Sequence, residues 1–285
     1  MCLLAVVCAC LIATAYLWYI SNFTLTVTQY EIETEKTDTA IRVAQLSDLH
    51  GYEFGKDNAR LVSLIEESEP DIIVMTGDML NYDESMDSLV ELVGECVKTA
   101  PVYFSLGNHE TDYEYDGMSV SDVIDAVSAA GAIVLEQEYV DTQINGTPVR
   151  IGGLFGYVLS EPEAWMDGSE QEFMRDFEDT DDLKILLSHM SEGLYLWRSM
   201  ETFDVDLIFS GHRHGGEVIL PFVGPLYASE EGWFPSYAYG VFELGDSVLV
   251  LSRGLGTSGI PGHGGKTRWN NVPELVIADI VPAGD

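Results

Sequence analysis

Five short apolar runs, each breaking into side chains that bind metals, constrain this chain more than any other feature. Ile41–Ser47 leads into Asp48-Leu49-His50, and Ile72–Thr76 into Gly77-Asp78. Val102–Leu106 leads into Gly107-Asn108-His109-Glu110, Ile185–Ser188 into His189, and Leu207–Ser210 into Gly211-His212-Arg213-His214. Runs of this length, apolar at successive positions, read as strands buried on both faces. In open α/β sheets, sites form just past the carboxyl ends of such strands. The chain has only 6 His, and His50, His109, His189, His212 and His214 all lie in these loops. A single histidine after a strand is usually structural, whereas five at five strand ends point to a shared centre. The donor set of imidazole nitrogens and carboxylate oxygens suits divalent Mn, Zn or Fe. One carboxylate can bridge two such ions roughly 3.5–4 Å apart.

The rest of the chain supplies the frame for that centre. Phe23–Glu35 alternates and reads as a strand. Amphipathic stretches at Asn58–Glu67, Ser85–Val97 and Val120–Ala129 read as helices. Val149–Leu154, Leu183–Leu187 and Asp206–Phe209 read as strands, as do Val218–Leu220, Tyr239–Leu244, Val248–Ser252 and Glu274–Ile280. Strand–helix alternation followed by consecutive strands predicts an α/β architecture with mixed sheets. No linker, internal repeat or low-complexity tract divides residues 23–285, so they are expected to form one domain.

Residues 1–22 form a separate apolar segment. Met1–Ile20 carries no charged side chain and is long enough to cross a bilayer as a helix. Tyr16, Trp18 and Tyr19 cluster at its end, as an interfacial belt would. A cleaved signal peptide is the alternative. Against it, there is no basic leader and no small-x-small cleavage pattern. The expectation is one uncleaved transmembrane helix, with the catalytic domain outside the cytoplasm. The domain is strongly acidic: 13 Lys+Arg face 48 Asp+Glu, a formal net charge of −35. The acidic residues are scattered, as on a solvated surface. That balance lacks the basic footprint of a nucleic-acid binder and the polybasic patch that docks on anionic lipid. Three of the 4 cysteines fall in the first ten residues, so no disulfide framework is present, and Cys96 reads as a small core residue.

Taken together, Asp48-x-His50, Gly77-Asp78, Gly107-Asn108-His109-Glu110, His189 and Gly211-His212-x-His214 resemble the motifs of the calcineurin-like metallophosphoesterase superfamily. They occur in the family order and span residues 40–280. Gly211–Glu217 with Leu220-Pro221, and Ser252–Gly259, resemble its membrane-anchored bacterial phosphodiesterase branch. The resemblance implies two mixed β-sheets packed as a sandwich and flanked by helices. It implies two divalent metal ions: Asp48, His50 and His214 on the first, Asn108, His189 and His212 on the second, and Asp78 bridging both. His109 would sit near the substrate phosphate and leaving group rather than on a metal. Departures from the pattern are Asn81 and Tyr82 after Asp78, Arg213 between the late histidines, Glu217 after the glycine pair, and His263 where the branch carries Arg.

Hydrolysis of phosphate esters, diesters foremost, follows from that likeness. The two cations offset charge on the phosphate oxygens and acidify a shared water, and His109 assists the departing alkoxide. Glu110 is a candidate to orient His109, with a structural role as the alternative. An anchored site favours a lipid-linked or envelope-derived phosphate ester. The competing readings are a pyrophosphatase acting on UDP-2,3-diacylglucosamine and a non-catalytic membrane-tethered metal-binding protein.

Overall fold

A computed structural model describes residues 2–81, 85–112, 119–154, 166, 168–196, 203–228, 230–257 and 267–284. Tyr82 and His263 lie outside the described residues. The first element is helix α1 (Cys2–Phe23), and strand β1 (Thr26–Thr34) follows it directly. The sequence reading placed a strand from Phe23. The helix instead continues, because the Ser21 hydroxyl and Asn22 amide donate to the Leu17 and Trp18 carbonyls, each at 2.7 Å.

Two six-stranded sheets form the domain. The first contains β1, β2 (Ile41–Leu46), β3 (Ile72–Met75), β4 (Val102–Phe104), β5 (Ile133–Val134) and β16 (Glu274–Pro282), in the order β1-β16-β2-β3-β4-β5. Strands β2 to β5 run parallel, and β16 runs antiparallel to β2. The second contains β6 (Glu138–Ile144), β7 (Thr147–Gly153), β8 (Leu183–Leu187), β9 (Leu207–Ser210), β14 (Gly240–Leu244) and β15 (Ser247–Leu251). Its order is β14-β15-β9-β8-β7-β6, with β7, β8, β9 and β15 parallel.

The period-two alternation of strand side chains divides the core into layers. Ile41, Val43, Ile72 and Val74 of the first sheet pack against Ile185, Leu187, Leu207 and Phe209 of the second. On the outer face of the first sheet, Ala44, Leu46, Ile73 and Met75 meet helices α2 (Ala59–Ser68), α3 (Asp87–Cys96) and α5 (Val120–Ala129). On the outer face of the second, Leu186, Ile208 and Leu249 meet Phe173, Met174 and Phe177 of α6 (Gly168–Glu178). The result is the expected sandwich with helices on both sides. Two short helices, α4 (Asn108–Thr111) and α7 (Glu192–Leu196), follow β4 and β8. The chain between β9 and β14 forms two hairpins of two-residue strands: β10 (Ile219–Leu220) with β11 (Gly224–Pro225), and β12 (Tyr227–Ala228) with β13 (Gly232–Trp233). Cys96 is buried at the C-terminal end of α3.

The strands β2, β3, β4, β8 and β9 all deliver their carboxyl ends to one edge of the sandwich. Gln45 joins the sheets there, its amide donating to Thr76 Oγ1 (3.1 Å) and to the Ser210 carbonyl (2.9 Å).

Candidate metal centre

All eight residues singled out from the sequence come together at that edge. Asp48, His50 and His214 form one cluster, and Asp78, His189 and His212 another. Asp78 also clusters with His50 and His109, the ligand atoms in each cluster lying within 4.8 Å of one another. Asp78 Oδ2 lies 3.1 Å from His189 Nε2, 3.7 Å from His50 Nε2 and 3.9 Å from His109 Nε2. Asp48 Oδ1 lies 3.6 Å from His214 Nε2 and 3.9 Å from His189 Nε2. Asn108 starts α4 and lines the same hollow, of about 350 Å³, with Asp78, His109, His212 and His214. A larger hollow of about 490 Å³ lies between β6 and α6, but no histidine or asparagine lines it among the described residues.

The loops are held by backbone geometry that the sequence foreshadows only in part. Asp48, His50, Asp78, His212 and His214 all have positive φ, between 47° and 70°. For residues other than glycine this conformation is uncommon and costs roughly 1–3 kcal/mol. Interlocked hydrogen bonds impose it: Asp48 N–H donates to the Gly77 carbonyl and His50 N–H to the Asp78 carbonyl, both at 3.0 Å. Glycine is required where these loops touch. A Cβ on Gly107 would overlap Asp78 Oδ1 and the Asp78 backbone nitrogen, and one on Gly254 would come within 2.7 Å of Asp48 Cβ.

Glu110 is the clamp of this arrangement. It is fully buried. Its Oε2 accepts the Asp78 and Gly107 N–H groups, both at 2.8 Å. Its Oε1 accepts those of Met79 (2.7 Å) and Leu80 (3.1 Å). The carboxylate thus ties the loop after β3 to the loop after β4, the structural alternative raised above. His109 is placed by its backbone, whose N–H donates to Asp78 Oδ1 at 2.8 Å.

The donor set fits cations. His189 Nδ1 lies 2.7 Å from the Thr76 carbonyl, which only accepts, so Nδ1 carries the hydrogen. A neutral His189 therefore points the lone pair of Nε2 at Asp78 Oδ2, 3.1 Å away. Two acceptors at that distance need a positive charge between them. Without a cation a proton serves: burial lowers the His189 pKa, but Asp78, Asp48 and the Thr76 carbonyl outweigh burial and raise it to about 10. The Asp78 carboxyl, despite a burial penalty, is held well below the ordinary range by His189, His50 and His109. Burial pushes His50 and His214 down to about 3. Both rings are therefore neutral at neutral pH, and their Nε2 atoms face each other 3.2 Å apart, where either can offer a lone pair. Asn108 Oδ1 and Asp48 Oδ2 are buried without a hydrogen-bond partner. A buried acceptor with nothing to accept is costly, and a divalent ion removes that cost. The backbone carbonyl behind His189 is also the usual support for a metal-binding imidazole.

Sequence reasoning missed a second layer. Arg268 is buried, donates to the Gly256 and Arg253 carbonyls, and places Nη2 3.5 Å from His214 Nδ1. The Asn271 amide donates to the His214 carbonyl at 2.7 Å. The buried Arg213 pairs with Glu230 (2.5 Å), Glu231 (3.2 Å) and Glu192 (3.4 Å). Glu230 also lies 3.3 Å from His212 Nε2, so Arg213 braces a carboxylate beside a candidate ligand. Arg213 stands out in the sequence between His212 and His214, but Arg268, Asn271 and the carboxylates that pair with Arg213 stand in no local pattern, and only their convergence in space exposes them.

The calcineurin-like phosphoesterase family model matches residues 41–216, and the chain belongs to that family. An uncharacterised metallophosphoesterase of Aquifex aeolicus (strain VF5) is 31% identical over 277 residues, covering 94% of this chain and 96% of its own. Phosphodiesterase YaeI of Escherichia coli (strain K12) is 25% identical over 251 residues, covering 84% and 82%. Among solved structures, a Staphylococcus aureus protein provisionally assigned as a 5′-nucleotidase superposes with a TM-score of 0.50 at 15% identity. That match covers 86% of this chain and 55% of the other, and it shows a shared fold. The chain is a metal-dependent phosphohydrolase.

Proposed function

We propose that this protein hydrolyses phosphodiesters at a binuclear centre. The observation that carries the reading is the position of Asp78, whose carboxylate stands between the Asp48–His50–His214 cluster and the His189–His212 cluster. Asp48, His50 and His214 would hold one ion and Asn108, His189 and His212 the other, with Asp78 available to both. Mn, Zn and Fe suit this set of imidazole and oxygen donors. When bound, the two ions neutralise phosphate oxygens and make water nucleophilic near neutral pH.

The remaining steps belong to the chain's own side chains. Asn108, His212 and His214 line the hollow that would receive the phosphate. His109 faces the same hollow without being needed as a ligand. Its ring donates to the leaving-group oxygen as that oxygen gains charge. The diester preference is supported by the likeness to phosphodiesterase YaeI.

The proposal extends to the location. Helix α1 is apolar enough to span a membrane, with a mean hydropathy of 2.3, and lies exposed along that window. It serves as a single-pass anchor, and the catalytic domain stands outside the cytoplasm. The test is turnover by the metal-loaded full chain of bis-p-nitrophenyl phosphate, p-nitrophenyl phosphate and UDP-2,3-diacylglucosamine. The diester should turn over fastest. Preference for the monoester, or for the nucleotide-linked lipid alone, would overturn the diester assignment.

A further inference from the structure

The two hairpins between β9 and β14 carry an unusual surface. From Val218 to Ala228, and again from Gly232 to Tyr239, there is no charged residue, in a chain whose net charge is −35. Five large apolar side chains of this segment stand in the open: Phe222, Val223, Tyr227, Trp233 and Phe234, with Phe222 wholly exposed and Trp233 and Phe234 at 68% and 58%. Phe222 and Phe234 both hold positive φ (67° and 58°), which bulky residues rarely adopt. A soluble acidic domain has no reason to concentrate exposed aromatics on one feature.

Hydrogen bonds fix where that feature sits relative to α1. Ile219 N–H donates to the Trp269 carbonyl (3.0 Å), Leu226 N–H to Val218 (2.8 Å) and Phe234 N–H to Leu226 (2.9 Å). The hairpins therefore extend as a ribbon from the segment around Trp269. That segment is bound to α1 at two levels. The Asn22 amide donates to the Arg268 carbonyl (2.7 Å), and the Trp269 indole N–H donates to the Thr14 carbonyl (3.1 Å). Thr14 lies eight residues before Asn22, roughly 12 Å along a helix axis. The edge of the ribbon, bonded to Trp269, is thus level with the last turns of the apolar helix, between Thr14 and Asn22.

We infer that the hairpins carrying Phe222, Val223, Trp233 and Phe234 insert into the headgroup–acyl boundary of the bilayer that α1 crosses. This rests on the anchor reading of α1. Aromatic side chains favour that boundary, and Val218–Ala228 and Gly232–Tyr239 enter it without burying charge, because the intervening Glu230 and Glu231 are paired with Arg213. The attraction is apolar, so it does not require anionic lipid. The hollow above the candidate metal centre is lined on one side by Tyr227 and Ala228 of the same ribbon. Insertion holds its mouth at headgroup level, where a phosphate ester carried on a lipid can enter without leaving the membrane.

The test places nitroxide labels on the full chain in nanodiscs of phosphatidylcholine. Cys2, Cys8 and Cys10 are replaced by Ala. Cys96 is kept, because burial pushes its thiol up to about 12 and leaves it unreactive. Labels go in turn on Phe222→Cys, Phe234→Cys, Leu11→Cys in the anchor and Asp246→Cys in the exposed β14–β15 turn. Power-saturation spectroscopy then compares collision with oxygen, which enters lipid, and with a water-soluble nickel chelate. Insertion predicts that the labels at 222 and 234 favour oxygen, as the label at 11 does, while the label at 246 favours nickel. If 222 and 234 favour nickel while 11 favours oxygen, the hairpins stand in water and the inference fails with the anchor intact. If 11 also favours nickel, the anchor reading itself fails. Low collision with both agents at 222 and 234 would mean protein covers them, a second copy included, and would also overturn lipid insertion.

Discussion

Replacing Glu110 by Gln tests the clamp that holds the loops after β3 and β4. The substitution preserves shape and removes one acceptor oxygen. The amide nitrogen that replaces it must face either the Asp78 and Gly107 N–H groups or those of Met79 and Leu80. Two buried donors then lose their acceptor, at about 1–3 kcal/mol each, or about 2–6 kcal/mol in all. For a chain of this size 1 kcal/mol moves the melting temperature by roughly 2–4 °C, so the variant should melt roughly 4–24 °C lower. The assay is thermal unfolding of the metal-free protein by circular dichroism, with metal affinity measured in parallel. Affinity should fall too, because the Asp78 backbone is one of the groups released. Glu95→Gln provides the control: Glu95 makes only an exposed pair with Lys98, and such pairs contribute under about 1 kcal/mol. A Glu110→Gln variant that melts within about 2 °C of wild type and binds metal normally would refute the clamp.

Other expectations follow from the same geometry. Asp78→Asn should cost more turnover than His50→Ala, because both clusters share Asp78; equal residual activity would count against a bridging carboxylate. His109→Ala should keep its metals but lose turnover by roughly 10²–10⁴ on esters with alkyl leaving groups, and less on p-nitrophenyl esters. A uniform loss across leaving groups would remove the proton-donor role, and a lost metal would make His109 a ligand. A chain starting at residue 20 should melt above one starting at residue 24. Only the first keeps the Ser21 hydroxyl that accepts the Asn271 N–H (2.9 Å) and the Asn22 amide bound to Arg268. The orphaned N–H alone is worth about 1–3 kcal/mol, and identical melting would show that the end of α1 is dispensable to the domain.

Legibility varied with burial and with distance along the chain. β2, β3, β8 and β9 were plain because both their faces are covered, so the runs are continuously apolar. α6 was not read. Only Phe173, Met174 and Phe177 of its eleven residues are buried, and the rest is polar. β6, an edge strand with mostly exposed or half-exposed side chains, carries little pattern for the same reason. The two-residue strands of the hairpins are too short to show any period. The candidate ligands were legible because each stands within a few residues of its strand end. The clamp of Glu110 on Asp78 and Leu80 spans about thirty residues, and Ser21 meets Asn271 across 250, so neither pairing leaves a local trace. The hairpin aromatics are present in the sequence, yet only the bonds from Ile219 to Trp269 and from Trp269 to Thr14 tie the hairpins to α1.

The central claim is a binuclear centre bridged by Asp78, and metal stoichiometry read against turnover tests it most directly. The purified full chain is stripped of metal, titrated with Mn²⁺, and followed by elemental analysis and by hydrolysis of bis-p-nitrophenyl phosphate at each loading. Two ions per chain are expected, with turnover rising mainly as the second is bound, and Asp78→Asn should fail to reach that occupancy. Saturation at one ion per chain with full turnover would contradict the binuclear reading.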